Sequence, residues 1–389
     1  MNYILFDDSR EKLLPLTFTR PVCELRIGIL TIREKWERYL NASVSTLTED
    51  YLSAKFPLIE SDENILVNGG VCPDEGLVTA IQSLNSGERL VKDGKLLASR
   101  ITGSIDAYDK SETAGVEFSG TVLIVEHPWD IFSKNGDAIE SDFMSITKGR
   151  TSAKLSESNT IIGDGKIFLE EGAKAEACIF NTSNGPIYLG KDTEVMEGSV
   201  IRGPFALCEG SQVKMGAKIY GPTTVGPHSR VGGEVNNSVI IGYSNKGHDG
   251  FLGNSVLGEW CNLGADTNNS NLKNNYDEVR VWSYETQRFA KTGLQFCGLI
   301  MGDHSKSGIN TMFNTGTVVG VSSNVFGAGF PRTFIPSFQW GGAAGFIEYN
   351  QEKAFATANR VMQRRGKELD EIEKAILSSV FDLTKSYRN

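Results

Sequence analysis

From residue 189 an aliphatic side chain recurs at every sixth position: Leu189, Val195, Ile201, Leu207, Val213, Ile219, Val225 and Val231. Four places after most of them stands a small residue (Thr193, Ser199, Ser211, Ala217, Thr223, Ser229), and Gly198, Pro204, Gly210, Gly216 and Pro222 fall at the third place. A period of six matches neither the helical repeat nor the alternation of a strand. It fits a solenoid in which each six-residue step makes one short flat face and one corner. The aliphatic side chain points into a narrow interior, and Gly or Pro eases the turn. A Gly-rich β-sandwich would not hold one phase over so long a stretch.

The phase then slips. Leu257-Gly258 and Leu263-Gly264 are again six apart, but Leu257 lies 26 residues beyond Val231, which predicts an inserted loop containing Gly242 to Gly250. A second, polar and aromatic interruption runs from about Asn268 to Phe296, and a third register appears at Met301, Ser307, Phe313, Val319 and Val325. The solenoid therefore covers roughly 155–330. Upstream, apolar runs at Tyr3-Ile4-Leu5-Phe6, 65–67 and 122–125 mix with helix-like stretches such as 30–40, the pattern of an α/β domain. Downstream, Ala354, Phe355, Ala358, Val361 and Met362 form one helical stripe and Leu369, Ile372, Ile376, Leu377, Val380 and Phe381 another, with Gly366 between. This tail reads as a cover for the solenoid end or as a contact between subunits. The expected division is 1–150, 151–345 and 346–389.

Composition adds bounds. A chain of 389 residues suits two or three domains, and its net charge of −9 argues against a nucleic-acid binder. No apolar run approaches a membrane span, and Met1 to Asp8 reaches acid before a leader's apolar core could form. Six dispersed cysteines without a Cys-x-x-Cys pair suit a reducing compartment. A cytoplasmic protein is expected.

Of four histidines, His248 has suggestive company, Ser244-Asn245-Lys246-Gly247-His248-Asp249-Gly250-Phe251-Leu252-Gly253. A histidine in a glycine-flanked loop suits a general base at neutral pH; a loop histidine without chemistry is the alternative. The run Lys246-Gly247-His248-Asp249-Gly250-Phe251-Leu252-Gly253-Asn254, followed by Asn262-Leu263-Gly264-Ala265-Asp266-Thr267-Asn268-Asn269-Ser270-Asn271, resembles the acetyltransferase half of the bifunctional UDP-N-acetylglucosamine pyrophosphorylase/glucosamine-1-phosphate N-acetyltransferase family. Met301-Gly302-Asp303-His304-Ser305-Lys306-Ser307-Gly308 is similar to the coil that follows in archaeal relatives.

The resemblance implies a left-handed parallel β-helix, a homotrimer with sites between subunits, and acetyl-CoA as cosubstrate. It implies that His248 takes a proton from the attacking sugar amine and that Asn262 and Asn271 hold the sugar phosphate and the reacting amine. Ala265, with Gly308 and Gly327 along later coils, would lie beside the coenzyme. Three family positions differ: Phe251 replaces a substrate-binding tyrosine, and Asn236 and Asp277 replace lysines. Lys273, Arg280, Lys246 or Arg202 would then supply the cation a phosphate needs, or the acceptor is another sugar.

The first 150 residues lack the family's Gly-rich phosphate loop. Leu13-Leu14-Pro15-Leu16-Thr17-Phe18-Thr19-Arg20-Pro21 resembles a divergent bacterial branch with a short nucleotidyltransferase domain, in which Thr17, Thr19 and Arg20 would bind the nucleotide phosphates. A turn with one salt bridge is the alternative reading of these three. Uridylyl transfer from UTP would need Mg²⁺, for which Asp74, Asp130 and Asp142 are the nearest carboxylates, with Gly70 where an aspartate is wanted. Two readings compete with the bifunctional one: a single retained activity, and a γ-type carbonic anhydrase using His228, His248 and His304.

Overall fold

The computed structural model describes residues 1–105 and 114–388. Its first unit is a six-stranded sheet of β1 (Asn2–Phe6), β2 (Ser45–Leu47), β3 (Glu63–Asn68), β5 (Arg89–Lys92), β6 (Lys95–Thr102) and β7 (Val116–Glu117), ordered β2-β1-β3-β6-β5-β7. β4 (Val71–Cys72) and β8 (Leu123–Ile124) form a separate pair. β2, β1 and β3 run parallel, whereas β6 is antiparallel to β3 and β5. The central runs Tyr3–Phe6 and Ile65–Val67 are buried on both faces, as strands covered on both sides require. Five helices accompany the sheet: α1 (Ile32–Leu40), α2 (Asp50–Ser53), α3 (Glu75–Gln82), α4 (Pro128–Ser133) and α5 (Asn135–Thr147). α1 starts at a capping box of Thr31 and Glu34 and sinks Trp36 into the core.

The solenoid is a three-faced parallel β-helix. The first face stacks nine strands from Ile167–Leu169 to Phe334–Ile335, and the second begins at Lys174–Ala175. The third stacks six strands from Thr160–Ile162 to Phe251–Gly253. All eight six-spaced aliphatics point inward and are at most 2% exposed. The small residues between them are buried corner residues, because the inside of a corner has no room for more. Their hydroxyls also serve the backbone: Ser211 donates to Gly226 O at 2.8 Å and accepts from Ser229 N at 3.0 Å. Gly198 and Gly216 turn with φ of +74° and +68°.

The 26-residue gap contains no inserted loop. Val213 pairs with Val231, 18 residues on, but Val231 pairs with Lys246, only 15 on, and Asn245 with Asn262, 17 on. The phase slips because two coils shed corner residues while strand pairing continues. The second interruption is a true insertion: Leu257 pairs with Met301, and between them an antiparallel hairpin joins Arg280–Ser283 to Arg288–Lys291.

Each side of the solenoid has a different neighbour. The first face carries the N-terminal unit: Ile29, Ile139, Phe143 and Ile146 pack with Phe168, Tyr188, Ala206 and Cys208. α6 (Gln351–Gln363) and α7 (Glu371–Leu383) do not cover the end of the solenoid, which finishes in the hairpin of Gln339–Gly342 and Gly345–Glu348. They double back along its flank, where Arg365 donates to Asn245 Oδ1 at 3.2 Å and Lys55 meets Glu373 at 2.8 Å. Ile372 is exposed rather than in the apolar stripe. The third face is left bare, with Ile161, Ile162, Ile179 and Val200 exposed.

Candidate functional site

His248 lies on the corner between Asn245–Lys246 of the second face and Phe251–Gly253 of the third. The shortened coil that places it there also explains Lys246. This lysine occupies an inward position, paired with Val231, and is 1% exposed. Its ammonium donates to the carbonyls of His248 and Asp249, which the tight corner turns inward. Burial pushes Lys246 down to about 8 despite the opposing pull of Asp249 and Asp266. It braces the corner from within and is not placed to meet a phosphate outside.

The His248 imidazole itself is exposed, on the rim of a cavity of about 560 Å³ whose walls include Asn262 and Ala265. Three expected site residues thus converge. Gly308 lies one coil beyond, where a Cβ on Gly264 would sit 2.5 Å from its carbonyl carbon, and Gly327 one coil further at φ +101°. Asn236, Phe251 and Asn271 gather on the other side of His248, along the third face. Asn236 pairs with Gly253, and a Cβ on Gly253 would stand 2.4 Å from the Phe251 ring and 2.7 Å from Asn271 Nδ2. Asn271 donates to Asn254 Oδ1 at 2.8 Å.

Lys273 and Arg280 do not reach the cavity: Lys273 donates to Glu278 O at 2.7 Å and Arg280 is exposed on the inserted hairpin. Arg202 is exposed on the third face. The cations that do line the cavity are Lys214, Arg230, Arg364 and Arg365. The outward positions beside Val213 and Val231, and the Arg-Arg pair before Gly366, were their only marks in the sequence.

The nucleotide-binding expectation meets a different arrangement. Thr17 is fully buried and donates to Arg10 O at 2.9 Å. Thr19 donates to Asp303 Oδ2 at 2.7 Å, and Arg20 is bonded to the same oxygen and to Glu259 Oε2 at 3.2 Å. Thr19 and Arg20 line a cavity of about 200 Å³, but Glu24, Glu259, Asp303 and Glu373 line it with them, and Thr17 is not among its walls; Thr19 and Arg20 bolt the N-terminal unit to the solenoid. Burial works against the Arg20 charge, yet the Asp303 and Glu259 carboxylates outweigh it and hold the guanidinium above its ordinary value. The following residues extend the latch: Arg26 donates to Ile241 O at 3.2 Å, and Thr224 donates to Gly28 O at 2.9 Å.

The carboxylates considered for magnesium are likewise engaged. Asp74 caps α3, and Asp130 accepts from Glu126 N and His127 N. Asp142 accepts from Lys35, Ile29 N and Leu30 N. No group of three or more metal-ligating side chains occurs among the described residues. His228 and His304 occupy one corner, spaced by Tyr243 and Trp260 in a continuous ring stack, and His248 a different corner. The three histidines do not converge as one chain's zinc site.

None of the six cysteines is disulfide-bonded, and no described helix is long and apolar enough to cross a membrane. Residues 3–151 match the sugar nucleotidyl transferase family. The bifunctional protein GlmU of Methanocaldococcus jannaschii is 28% identical over 266 residues, which cover 67% of this chain and 56% of that protein. The bifunctional sugar-1-phosphate nucleotidylyltransferase/acetyltransferase of Sulfurisphaera tokodaii is 27% identical over 265 residues, covering 67% and 57%. The chain thus spans about half the length of the curated relatives it matches. A UDP-N-acetylglucosamine acyltransferase, LpxA from Bacteroides fragilis, aligns over 60% of this chain and 89% of its own at 14% identity, with a TM-score of 0.24 that adds nothing to the strand pairing above. Residues 3–151, which match the sugar nucleotidyl transferase family, are therefore joined to a parallel β-helix, in a chain similar to the bifunctional GlmU transferases.

Proposed function

We propose that the solenoid transfers an acetyl group from acetyl-CoA to the amine of glucosamine-1-phosphate, and that the N-terminal domain then transfers uridylyl from UTP to give UDP-N-acetylglucosamine. The observation that carries the first step is the convergence of His248, Asn262 and Ala265 on one cavity, with Asn236, Phe251 and Asn271 across the corner. The imidazole makes no hydrogen bond to the protein among the described residues and is free to meet substrate. The amine lone pair attacks the thioester carbonyl, His248 accepts the amine proton, and the thiolate of coenzyme A leaves. Asn262 and Asn271 hold the sugar phosphate and the reacting amine between them, while Ala265, Gly308 and Gly327 flank the coenzyme.

A homotrimer is part of this reading. Two faces of the solenoid are covered by the chain's own domain and helices, and the third exposes isoleucine and valine to a second copy. The fold and homologues suit a cytoplasmic enzyme acting on small molecules.

A second reading, acetyl transfer alone, is favoured by one observation: Thr17, Thr19 and Arg20 are spent on internal bonds. Asp74, Asp130 and Asp142, the carboxylates expected to hold magnesium, are likewise engaged in bonds within the protein. Two assays separate the readings. Thiol release from acetyl-CoA that requires glucosamine-1-phosphate supports the first step, and its absence rejects it. Pyrophosphate release from UTP with N-acetylglucosamine-1-phosphate and Mg²⁺ supports the second, whereas thiol release without pyrophosphate release leaves acetyl transfer alone.

A further inference from the structure

The cavity beneath His248 is lined by an excess of positive charge. Lys214 and Arg230 rise from its solenoid wall, and Arg364 and Arg365 face them from the turn after α6. No aspartate or glutamate lines this cavity, and none of the four cations makes an ion pair among the described residues. Their polar partners are neutral: Lys214 and Arg230 both donate to Gln212 Oε1, at 2.9 and 3.0 Å, and Arg365 donates to Asn245 Oδ1 at 3.2 Å. Burial, with Arg230 next, holds Lys214 below its ordinary value although Glu194, outside the cavity lining, pulls the other way; burial with Arg230 and Arg364 does the same to Arg365. Like charges gathered in a cavity that no carboxylate lines are costly unless an anion joins them.

The spacing suits a ligand that also reaches His248. Arg230, Asn245 and Asn262 are successive rungs of the second face, so Arg230 stands about 10 Å along the solenoid axis from Asn262. The geometry points to Lys214, Arg230, Arg364 and Arg365 as the seat of a phosphate or pyrophosphate group carried by the substrate that reacts at His248. Guanidinium forks on both walls, with the Lys214 point charge beside Arg230, suit such a group. The identity of the substrates rests on the acetyl-transfer reading above; the anion seat does not. The C-terminal turn, which in the sequence reads as a cover or a subunit contact, would thereby close one wall of a substrate site.

Direct binding tests this without turnover. Coenzyme A, 3′-dephospho-coenzyme A, glucosamine-1-phosphate and inorganic pyrophosphate are titrated calorimetrically into the full chain and its R364Q/R365Q variant. The variant should bind pyrophosphate and at least one substrate at least tenfold more weakly, with an unchanged melting temperature. Weakening confined to coenzyme A assigns the seat to the acyl donor, and a smaller effect on the dephospho form places the 3′-phosphate there. Weakening confined to glucosamine-1-phosphate assigns it to the acceptor. K214Q, on the opposite wall, must act in the same direction. Unchanged affinity for all four ligands in both variants overturns the proposal. Tight pyrophosphate binding lost in the variants, in a protein with no acetyl transfer, would retain the seat and reject the reaction.

Discussion

Replacing Arg20 by alanine separates two roles that the sequence leaves level. In the structure its guanidinium is 7% exposed, and the Asp303 side chain it meets is 5% exposed, whereas Glu259 at 29% can turn to water. Deleting the arginine leaves Asp303 buried with only Thr19 Oγ1 and the Glu259 amide as donors. Removing one partner of a buried pair costs about 3–5 kcal/mol, because the remaining charge is stranded. At the size of these domains that lowers the melting temperature by roughly 10 °C. Changing both partners together, R20M with D303L, should recover most of the loss, since apolar replacements strand no charge. Scanning calorimetry of wild type, R20A and the pair gives the cycle, and UTP titration of the same proteins gives the alternative. An R20A protein that melts within about 2 °C of wild type while losing UTP affinity would refute the latch and restore the arginine to the nucleotide.

Other outcomes follow from single positions. Ile201 is fully buried in the solenoid interior, so Ile201→Ala should cost about 2–5 kcal/mol in urea unfolding. Burial, with Lys306 next, pushes His304 down to about 3; only the unfolded chain takes up this proton between about pH 6.5 and 3, so stability falls as pH drops through that window. H304N, which tolerates the left-handed φ of +61°, should flatten that part of the urea-midpoint profile. Lys246, held down to about 8 by burial, is charged and penalised below that pH. Only the unfolded chain holds this proton between about pH 8 and 10.5, so stability gains from this group as pH rises through that range, and K246M should reduce the gain in the same profile.

What could be read from the sequence was what repeats locally. The six-residue period placed all eight aliphatics inside the solenoid, because each answers only to its own coil. His248, Asn262 and Ala265 were grouped by the family resemblance of their motif, and the structure lines one cavity with all three. The shortened coils were not legible, since dropping corner residues leaves strand pairing intact and looks the same as an insertion in the linear pattern. Lys246 was misjudged for the same reason: in the slipped register a lysine takes an inward site. Arg20 finds Asp303 at a separation of 283 residues, and Lys214 meets Arg364 only because α6 doubles back. Partners that distant leave no periodic mark.

The central claim is that His248 removes the amine proton during acetyl transfer. The most direct measurement is single-turnover thiol release from acetyl-CoA with glucosamine-1-phosphate, in wild type and in H248A of equal melting temperature and coenzyme A affinity. The account predicts a rate about 10²–10⁴-fold lower in H248A, the range for loss of a general base. Wild-type turnover by H248A would contradict it.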